Sequence, residues 1–325
     1  MNKILVSRTD GIGDLLLTTP LFYELKKKYP SACISALVNP YSADLLLNNP
    51  AVNDVILYNK DMKKQTFEKV KSGKYDVVIA VYPRPELAWL FLRAGIPLRY
   101  GTNARWYSFM YNRRIKISRK KSEKHEADYN LMIAGDIIDP VVAEKEYYYM
   151  TQEEKQDGKE YLKSKGITEK FIILHPFSND SAWNLSWKKY AELAAKIVEA
   201  GFCVLLTGGH SEKEGLKRIK NFSGKINGLF IMDENLKLRI FAAVISHADV
   251  VVSCSTGPMH IAAALNVRTL SFFPPDSITA MKPLRWKPLG NVHEIIQPDR
   301  DNMSAMDDID CDVIISKLKL LIEKK

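Results

Sequence analysis

The sequence predicts an α/β protein of two doubly wound domains facing one another across a cleft, and three observations carry that reading. Short apolar runs alternate with amphipathic segments along most of the chain, the pattern of parallel strands buried on both faces and flanked by helices. Two glycine-containing loops, one near each end, each join such a run to a helical segment. The third observation is size: 325 residues with 46% apolar residues can fill two cores and are long for one.

In the first half the strand candidates are Lys3 to Val6, Cys33 to Val38, Val55 to Leu57 and Val77 to Val81. The helix after Asp14 contains Pro20, so it either kinks there or restarts with Thr19 as cap and Pro20 at the first helical position. The second half alternates more regularly. Strands are expected at 171–174, 203–206, 229–232, 250–252 and 269–273, with helices at 187–200, 211–220, 236–246 and 258–265 between them. Gly201 is the expected stop of the first of these helices and Asn235 a candidate N-cap of the third. The polar stretch from about Thr151 to Lys170 reads as a hinge, which places the domains at 1–155 and 156–325. The last segment, Val313 to Ile322, is an amphipathic helix that can pack on either domain, including back onto the first.

No apolar run approaches the ~18–20 residues that span a bilayer, and the apolar start is too short for a signal peptide. A cytoplasmic location is therefore expected. The four cysteines, at 33, 203, 254 and 311, have neither metal-ligand spacing nor the density of a disulfide scaffold, and most are expected to be buried. The net charge of +9 is uneven: residues 1–150 hold 23 Lys and Arg against 16 Asp and Glu. Between Arg93 and Lys124 ten cations are opposed by Glu123 alone, with Trp106, Tyr107, Phe109 and Tyr111 interleaved. Such a run suits an anionic partner such as a phosphorylated glycolipid, an anionic membrane surface or a nucleic acid; the alternative is a solvated basic loop.

The two glycine loops carry the candidate chemistry. The first, Arg8-Thr9-Asp10-Gly11-Ile12-Gly13-Asp14, is not a dinucleotide fingerprint, because Leu16 stands where the last glycine would be needed. Its acids are placed to act: Asp14 is either a general base or a helix-start carboxylate satisfied by backbone amides. The second, Ser253-Cys254-Ser255-Thr256-Gly257-Pro258-Met259-His260, offers a helix N-terminus to an anion. Gly257 admits close approach, Pro258 suits the first turn, and the amides of Gly257, Met259 and His260 are expected to be free for a diphosphate. His260 is either part of that site or a satisfied helix histidine. The turn from His175 to Asp180 can close over a nucleotide. No metal-binding pattern is present, and no metal or cofactor is expected.

Together these residues resemble glycosyltransferase family 9, the lipopolysaccharide heptosyltransferases. The resemblance runs from Arg8–Pro20 through Asn49–Val52, His125–Asp128, His175-Pro176 and Ser255–Ala264 to Arg285–Gly290. It implies a GT-B fold of two Rossmann-like domains, acceptor in the first and nucleotide sugar in the second. The implied reaction is inverting, metal-independent transfer of a heptose, with ADP-heptose the expected donor and a lipopolysaccharide or lipooligosaccharide core the acceptor. Asp14 is the implied base. Donor contacts are expected at Ser178, Lys188, Ser255, Thr256, Gly257, Pro258, Met259 and His260, and acceptor contacts at Gly13, Arg113, Arg114, Arg119, Lys120 and Lys121. The chain departs from the family pattern at Ala182-Trp183-Asn184, where no Lys precedes the next Trp until Lys188 follows it, and at Ser255, where many members carry Asp. The reading places the protein in the cytoplasm, peripheral to the inner face of the cytoplasmic membrane. The alternatives are a non-catalytic glycolipid-binding protein or a nucleotide-sugar epimerase on the same fold, with nucleic-acid binding disfavoured because no such module is visible.

Overall fold

A computed structural model describes residues 1–178, 180–232, 234 and 236–323. The chain divides into two units, Met1–Tyr149 and Met150–Lys325. Asn179 and Asn235, the latter the expected helix cap, lie outside the described residues.

The first unit contains β1 (Lys3–Arg8), α1 (Ile12–Leu16), α2 (Thr19–Lys28), β2 (Cys33–Val38), β3 (Asp54–Leu57), α3 (Lys63–Gly73), β4 (Val77–Ala80), α4 (Pro85–Arg93), β5 (Leu98–Thr102), β6 (Arg113–Ile115) and α5 (Glu126–Met132). Its sheet is parallel throughout, in the order β3-β2-β1-β4-β5-β6. The central strands are apolar on both faces, and Ile4, Leu5, Val6, Val77, Val78 and Ile79 are fully buried. The helix after Asp14 restarts rather than kinks: α1 stops at Leu16, and α2 begins at Thr19 with Pro20 in its first turn. Thr18, not Thr19, holds the cap position.

The second unit contains α6 (Gln152–Ser164), β7 (Phe171–His175), α7 (Trp187–Glu199), β8 (Cys203–Thr207), α8 (Lys213–Ser223), β9 (Leu229–Met232), α9 (Leu238–Ile245), β10 (Val250–Cys254), α10 (Gly257–Ala264), β11 (Arg268–Phe272), α11 (Pro283–Trp286), β12 (His293–Ile296) and α12 (Cys311–Glu323). Its six parallel strands follow the order β12-β11-β10-β7-β8-β9, which is the first unit's order read from the other edge. In both sheets the strand order reverses beside the first strand, between β1 and β4 and between β7 and β10. Ligands of doubly wound sheets sit outside the carboxyl ends of the strands at such points.

Two expectations are corrected, and the packing left open for the terminal helix is decided. The stretch 151–170 is not a polar hinge over most of its length: it holds α6, which opens with a full capping box. The Thr151 hydroxyl accepts from the Glu154 amide at 3.1 Å and the Glu154 carboxylate accepts from the Thr151 amide at 2.8 Å. The terminal helix, α12, packs on α7, β11 and β12 within the second unit, burying Ile314, Leu318 and Leu321 in that core. Of the cysteines, Cys254 and Cys311 are buried while Cys33 and Cys203 are partly exposed.

Helix α6 approaches α9 closely because Gly158 has no side chain. A Cβ there would lie 2.6 Å from the Ala243 carbonyl carbon and 2.8 Å from its Cβ. Glu154 adds a charge-assisted bond, accepting from Arg239 Nε of α9 at 2.6 Å. Alanine normally stabilises a helix interior over glycine by about 0.5–1 kcal/mol. Here Gly158→Ala is expected to reverse that sign and cost about 1–3 kcal/mol through overpacking, read from urea unfolding. A gain in stability would mean that α6 and α9 are not in close contact.

Candidate active site

At the end of β1 the buried guanidinium of Arg8 gathers the polar groups of the first unit. Its Nε donates to Asp10 Oδ1 at 2.7 Å, one terminal nitrogen donates to Glu126 Oε1 at 3.2 Å and to Asn130 Oδ1 at 3.0 Å, and the other donates to Asp14 Oδ1. Arg119 reaches the same cluster: its Nε donates to Glu126 at 3.0 and 3.2 Å, its terminal nitrogen to Asn130 at 3.3 Å, and its guanidinium lies over the Tyr129 ring. Asn130 in turn donates to the Leu17 carbonyl at 2.9 Å and the Thr18 hydroxyl at 3.2 Å, which pins the break between α1 and α2.

The electrostatics follow from that geometry. Three carboxylates surround two guanidiniums, and burial makes their mutual repulsion costly. Burial and the neighbouring Asp14 charge push the Asp10 carboxyl up to about 7 against the opposing pull of Arg8, while the three carboxylates hold the Arg8 guanidinium above its ordinary range. Asp14 is therefore not the carboxylate satisfied by helix amides that local sequence allowed. One oxygen is taken by Arg8, and the other, Oδ2, lies over Gly11, where a Cβ would come within 2.7 Å. The Asp14 side chain keeps 25% of its surface exposed. The Tyr41 hydroxyl, 2.9 Å from the Asp10 carbonyl, lines the same loop.

Sequence reasoning missed Arg8, Glu126 and Asn130 as members of one cluster, since they lie far apart along the chain. The His125–Asp128 motif now has a structural reason. His125 caps α5 by accepting the Ala127 amide at 3.2 Å, Glu126 joins Arg8, and Asp128 accepts the Ala143 amide at 2.9 Å. Also missed was the segment after β4, where the Tyr82 ring lies 5.8 Å from the Arg8 guanidinium and 4.8 Å from that of Arg84.

The basic run spans an edge strand and the loop after it, and its members have different partners. Arg113 and Arg114 belong to β6, an edge strand where charge discourages further pairing. Arg113 lies against Tyr100, whose hydroxyl donates to Asp136, and Arg119 turns inward to Glu126. Arg114, Lys120 and Lys121 are exposed, the last 3.8 Å from Glu123. Gly13 is half-buried inside α1.

In the second unit, Thr256 takes the N-cap position of α10, yet its side chain does not cap the helix; its hydroxyl turns back to the Cys254 carbonyl at 3.4 Å. The amides of Gly257 and Met259 thus have no acceptor within the helix. The His260 amide is not free as expected: it donates to the Thr256 carbonyl at 3.4 Å, the first bond of the helix. Pro258, Met259 and His260 are buried, Met259 completely, while Ser255 and Gly257 are half-exposed. At the end of β7, burial pushes the His175 imidazole down to about 4, and its Nδ1 lies 3.0 Å from the Thr207 hydroxyl. Burial likewise raises the Cys254 thiol to about 12, which makes it unreactive.

Ser178 is tied to its own turn, its hydroxyl donating to the Ala182 carbonyl at 3.0 Å, and Asn184 holds the turn's start by donating to the Pro176 carbonyl at 2.7 Å. Lys188 is exposed, its ammonium 5.7 Å over the Phe222 ring of α8, so it is not brought to the α10 loop. Among the described residues no three His, Cys, Asp or Glu side chains converge to hold a metal ion.

Residues 64–309 match the family Glycosyltransferase family 9 (heptosyltransferase). A Haemophilus influenzae protein given the class name glycosyltransferase is 31% identical over 309 residues, covering 91% of this chain and 88% of the relative. Lipopolysaccharide heptosyltransferase 3 of Escherichia coli is 23% identical over 303 residues, covering 86% and 84%. Among solved structures, a glycosyl transferase family 9 protein from Veillonella parvula aligns with a TM-score of 0.86 at 16% identity, covering 100% of this chain and 98% of that one. The Escherichia coli ADP-heptose lps heptosyltransferase II aligns with a TM-score of 0.82 at 19% identity, covering 99% and 98%. Two parallel six-stranded sheets in this order, within a chain matching those structures end to end, constitute the GT-B fold.

The Asp10 carboxyl binds its proton more tightly in the folded protein than the ordinary value of about 4. Its contribution to stability is therefore present below about pH 4 and falls as pH rises towards 7. Asp10→Asn is expected to flatten the decline in unfolding free energy over that window, measured by urea titration at several pH values. An unchanged slope would mean that Asp10 does not hold a proton in the cluster.

Proposed function

The chain belongs to glycosyltransferase family 9, the heptosyltransferase family, and from that premise we propose that it transfers a heptose from ADP-heptose to a lipopolysaccharide or lipooligosaccharide core, with inversion and without a metal. The observation that carries this reading is Asp14, a carboxylate held by Arg8 on one oxygen with the other lying over a glycine. A fixed, partly exposed carboxylate at the carboxyl end of the central strand has the form of a general base.

In the proposed reaction the acceptor hydroxyl oxygen bonds to the donor's anomeric carbon as the bond from that carbon to the diphosphate oxygen breaks. The hydroxyl proton passes to Asp14 Oδ2. Arg8 keeps the carboxylate from turning, and Asp10, Glu126 and Arg119 keep Arg8 in place. The departing diphosphate receives the amide of Gly257 and the positive end of α10, with Ser255 and Thr256 beside it. Preorganised donors of this kind are worth about 3–4 kcal/mol each to a developing anion. Lys188, occupied over Phe222, is not assigned to this step, and the cations left to the acceptor from the basic run are Arg114, Lys120 and Lys121. The reaction is proposed to take place at the cytoplasmic face of the inner membrane, where such an acceptor is anchored.

Asp14→Asn preserves shape and removes the base, so transfer is expected to fall by about 10²–10⁴-fold, while the affinity for ADP, measured by calorimetry, stays within a few-fold. Transfer near the parent rate would remove Asp14 from the mechanism. Because amides rather than a metal hold the diphosphate in this scheme, EDTA is expected to leave the rate unchanged. Loss in chelator that is restored by magnesium or manganese would contradict the assignment of the α10 loop.

A further inference from the structure

Helix α4 is apolar on two faces. Leu87, Ala88, Leu90 and Phe91 are buried in the first unit's core, as expected for a helix covering a sheet. The outward face carries Trp89, 51% exposed, and Leu92, 36% exposed, one turn apart. A helix apolar all round is normally buried all round, so the outer face lacks a cover. Against α4 packs the turn 108–110, and the segment around it displays Trp106 at 77% and Phe109 at 66% exposure. This segment is anchored rather than loose: between those two residues Tyr107 is buried against the core, its hydroxyl donating to the Pro83 carbonyl at 2.7 Å, and Trp106 meets the Tyr107 ring edge-on at 5.4 Å.

Charge surrounds these side chains with one dominant sign. Exposed Arg93, at the end of α4 over the Phe67 ring, and exposed Arg105 supply the cations of the patch, while Glu86, the acid on the helix, is 3.8 Å from half-buried Arg84. Protruding Trp and Phe ringed by Arg match a bilayer's headgroup layer, where the aromatic rings enter the interface and the cations meet lipid phosphate.

We propose that the outer face of α4 and the segment 105–109, with Trp89, Leu92, Trp106 and Phe109 as the inserting groups, dock this protein on an anionic phospholipid bilayer. The proposal rests on the membrane-anchored acceptor of the preceding section and moves the docking surface away from the basic run at 113–121. There, Arg119 is engaged with Glu126 and Asn130, and exposed Arg113 lies against Tyr100. Two features give the surface its selectivity: the arginines require anionic lipid, and the aromatic groups make part of the binding insensitive to salt.

The test is co-sedimentation of the full chain with vesicles of phosphatidylglycerol and phosphatidylcholine, compared with pure phosphatidylcholine, without donor or acceptor. The parent is expected to bind the anionic vesicles and to show a blue-shifted, lipid-quenched tryptophan emission. Trp106→Ser with Phe109→Ser, and separately Trp89→Ser with Leu92→Ser, are expected each to weaken binding about tenfold or more, the loss expected when buried apolar side chains are removed from an interface. Both pairs are exposed, and an unchanged melting temperature confirms folding. Parent-like binding by both double variants, no binding by the parent, or loss only on neutralising Arg114, Lys120 and Lys121 overturns the proposal. So does a parent that dimerises in sedimentation and becomes monomeric in the variants, which would make the face a contact between copies. Transfer to a deacylated, water-soluble core acceptor needs no vesicle, so its failure reports on the transferase reading and leaves the vesicle result to report on docking.

Discussion

The buried guanidinium of Arg8 is the interaction on which the first domain's site depends. Burying a cation is costly unless it is paired and hydrogen-bonded, and here its hydrogen-bond partners are brought from two parts of the chain. The loop after β1 supplies Asp10 and Asp14, and α5 supplies Glu126 and Asn130. Arg119 then shares Glu126, so the cluster holds two cations against three carboxylates, and burial beside Asp14 raises the Asp10 carboxyl above its ordinary range. The break between α1 and α2 is part of the same construction, because Asn130 bonds the carbonyl of Leu17. Two sequence motifs more than a hundred residues apart are thus one structural unit.

The second domain solves a different electrostatic problem with the same topology. Its sheet also ends at a switch point, but the side chains there are neutral: His175 is unprotonated, Cys254 is protonated, and Thr256 leaves the first amides of α10 uncapped. What remains is backbone polarity directed outward from a helix start. A site built from amides discriminates for charge and shape and requires no ionised residue, which suits the holding of a diphosphate. The two switch points thus differ in what they carry: ionised side chains in the first domain and uncapped backbone amides in the second.

Most of this was legible in the sequence where local pattern decides the outcome. The central strands, buried on both faces, read as unbroken apolar runs, and the two glycine loops sit at their ends. Two edge strands, β3 and β9, were legible as apolar runs, while β5, β6 and β12 were not. Strands β5, β6 and β12 mix charged and apolar residues, and Arg113 and Arg114 read as part of a basic run suited to an anionic partner because an edge strand tolerates charge. Helix α6 was taken for a hinge because only Gly158 and Leu162 are buried within it, and its capping box outweighs its polar composition. Long-range pairing was beyond local reading: Arg119 belongs by sequence to a basic stretch and by structure to Glu126, and Lys188 lies near the donor motifs in sequence while its ammonium rests on Phe222.

The account stands most directly on the product. The chain is to be incubated with ADP-heptose and a deacylated lipopolysaccharide core lacking its outer heptose, the acceptor weighed by mass spectrometry and its new linkage read by NMR. The expected result is one heptosyl residue added per ADP released, with an anomeric configuration opposite to that of the donor. An acceptor of unchanged mass beside isomerised or hydrolysed donor, or a linkage that retains the donor's configuration, would contradict it.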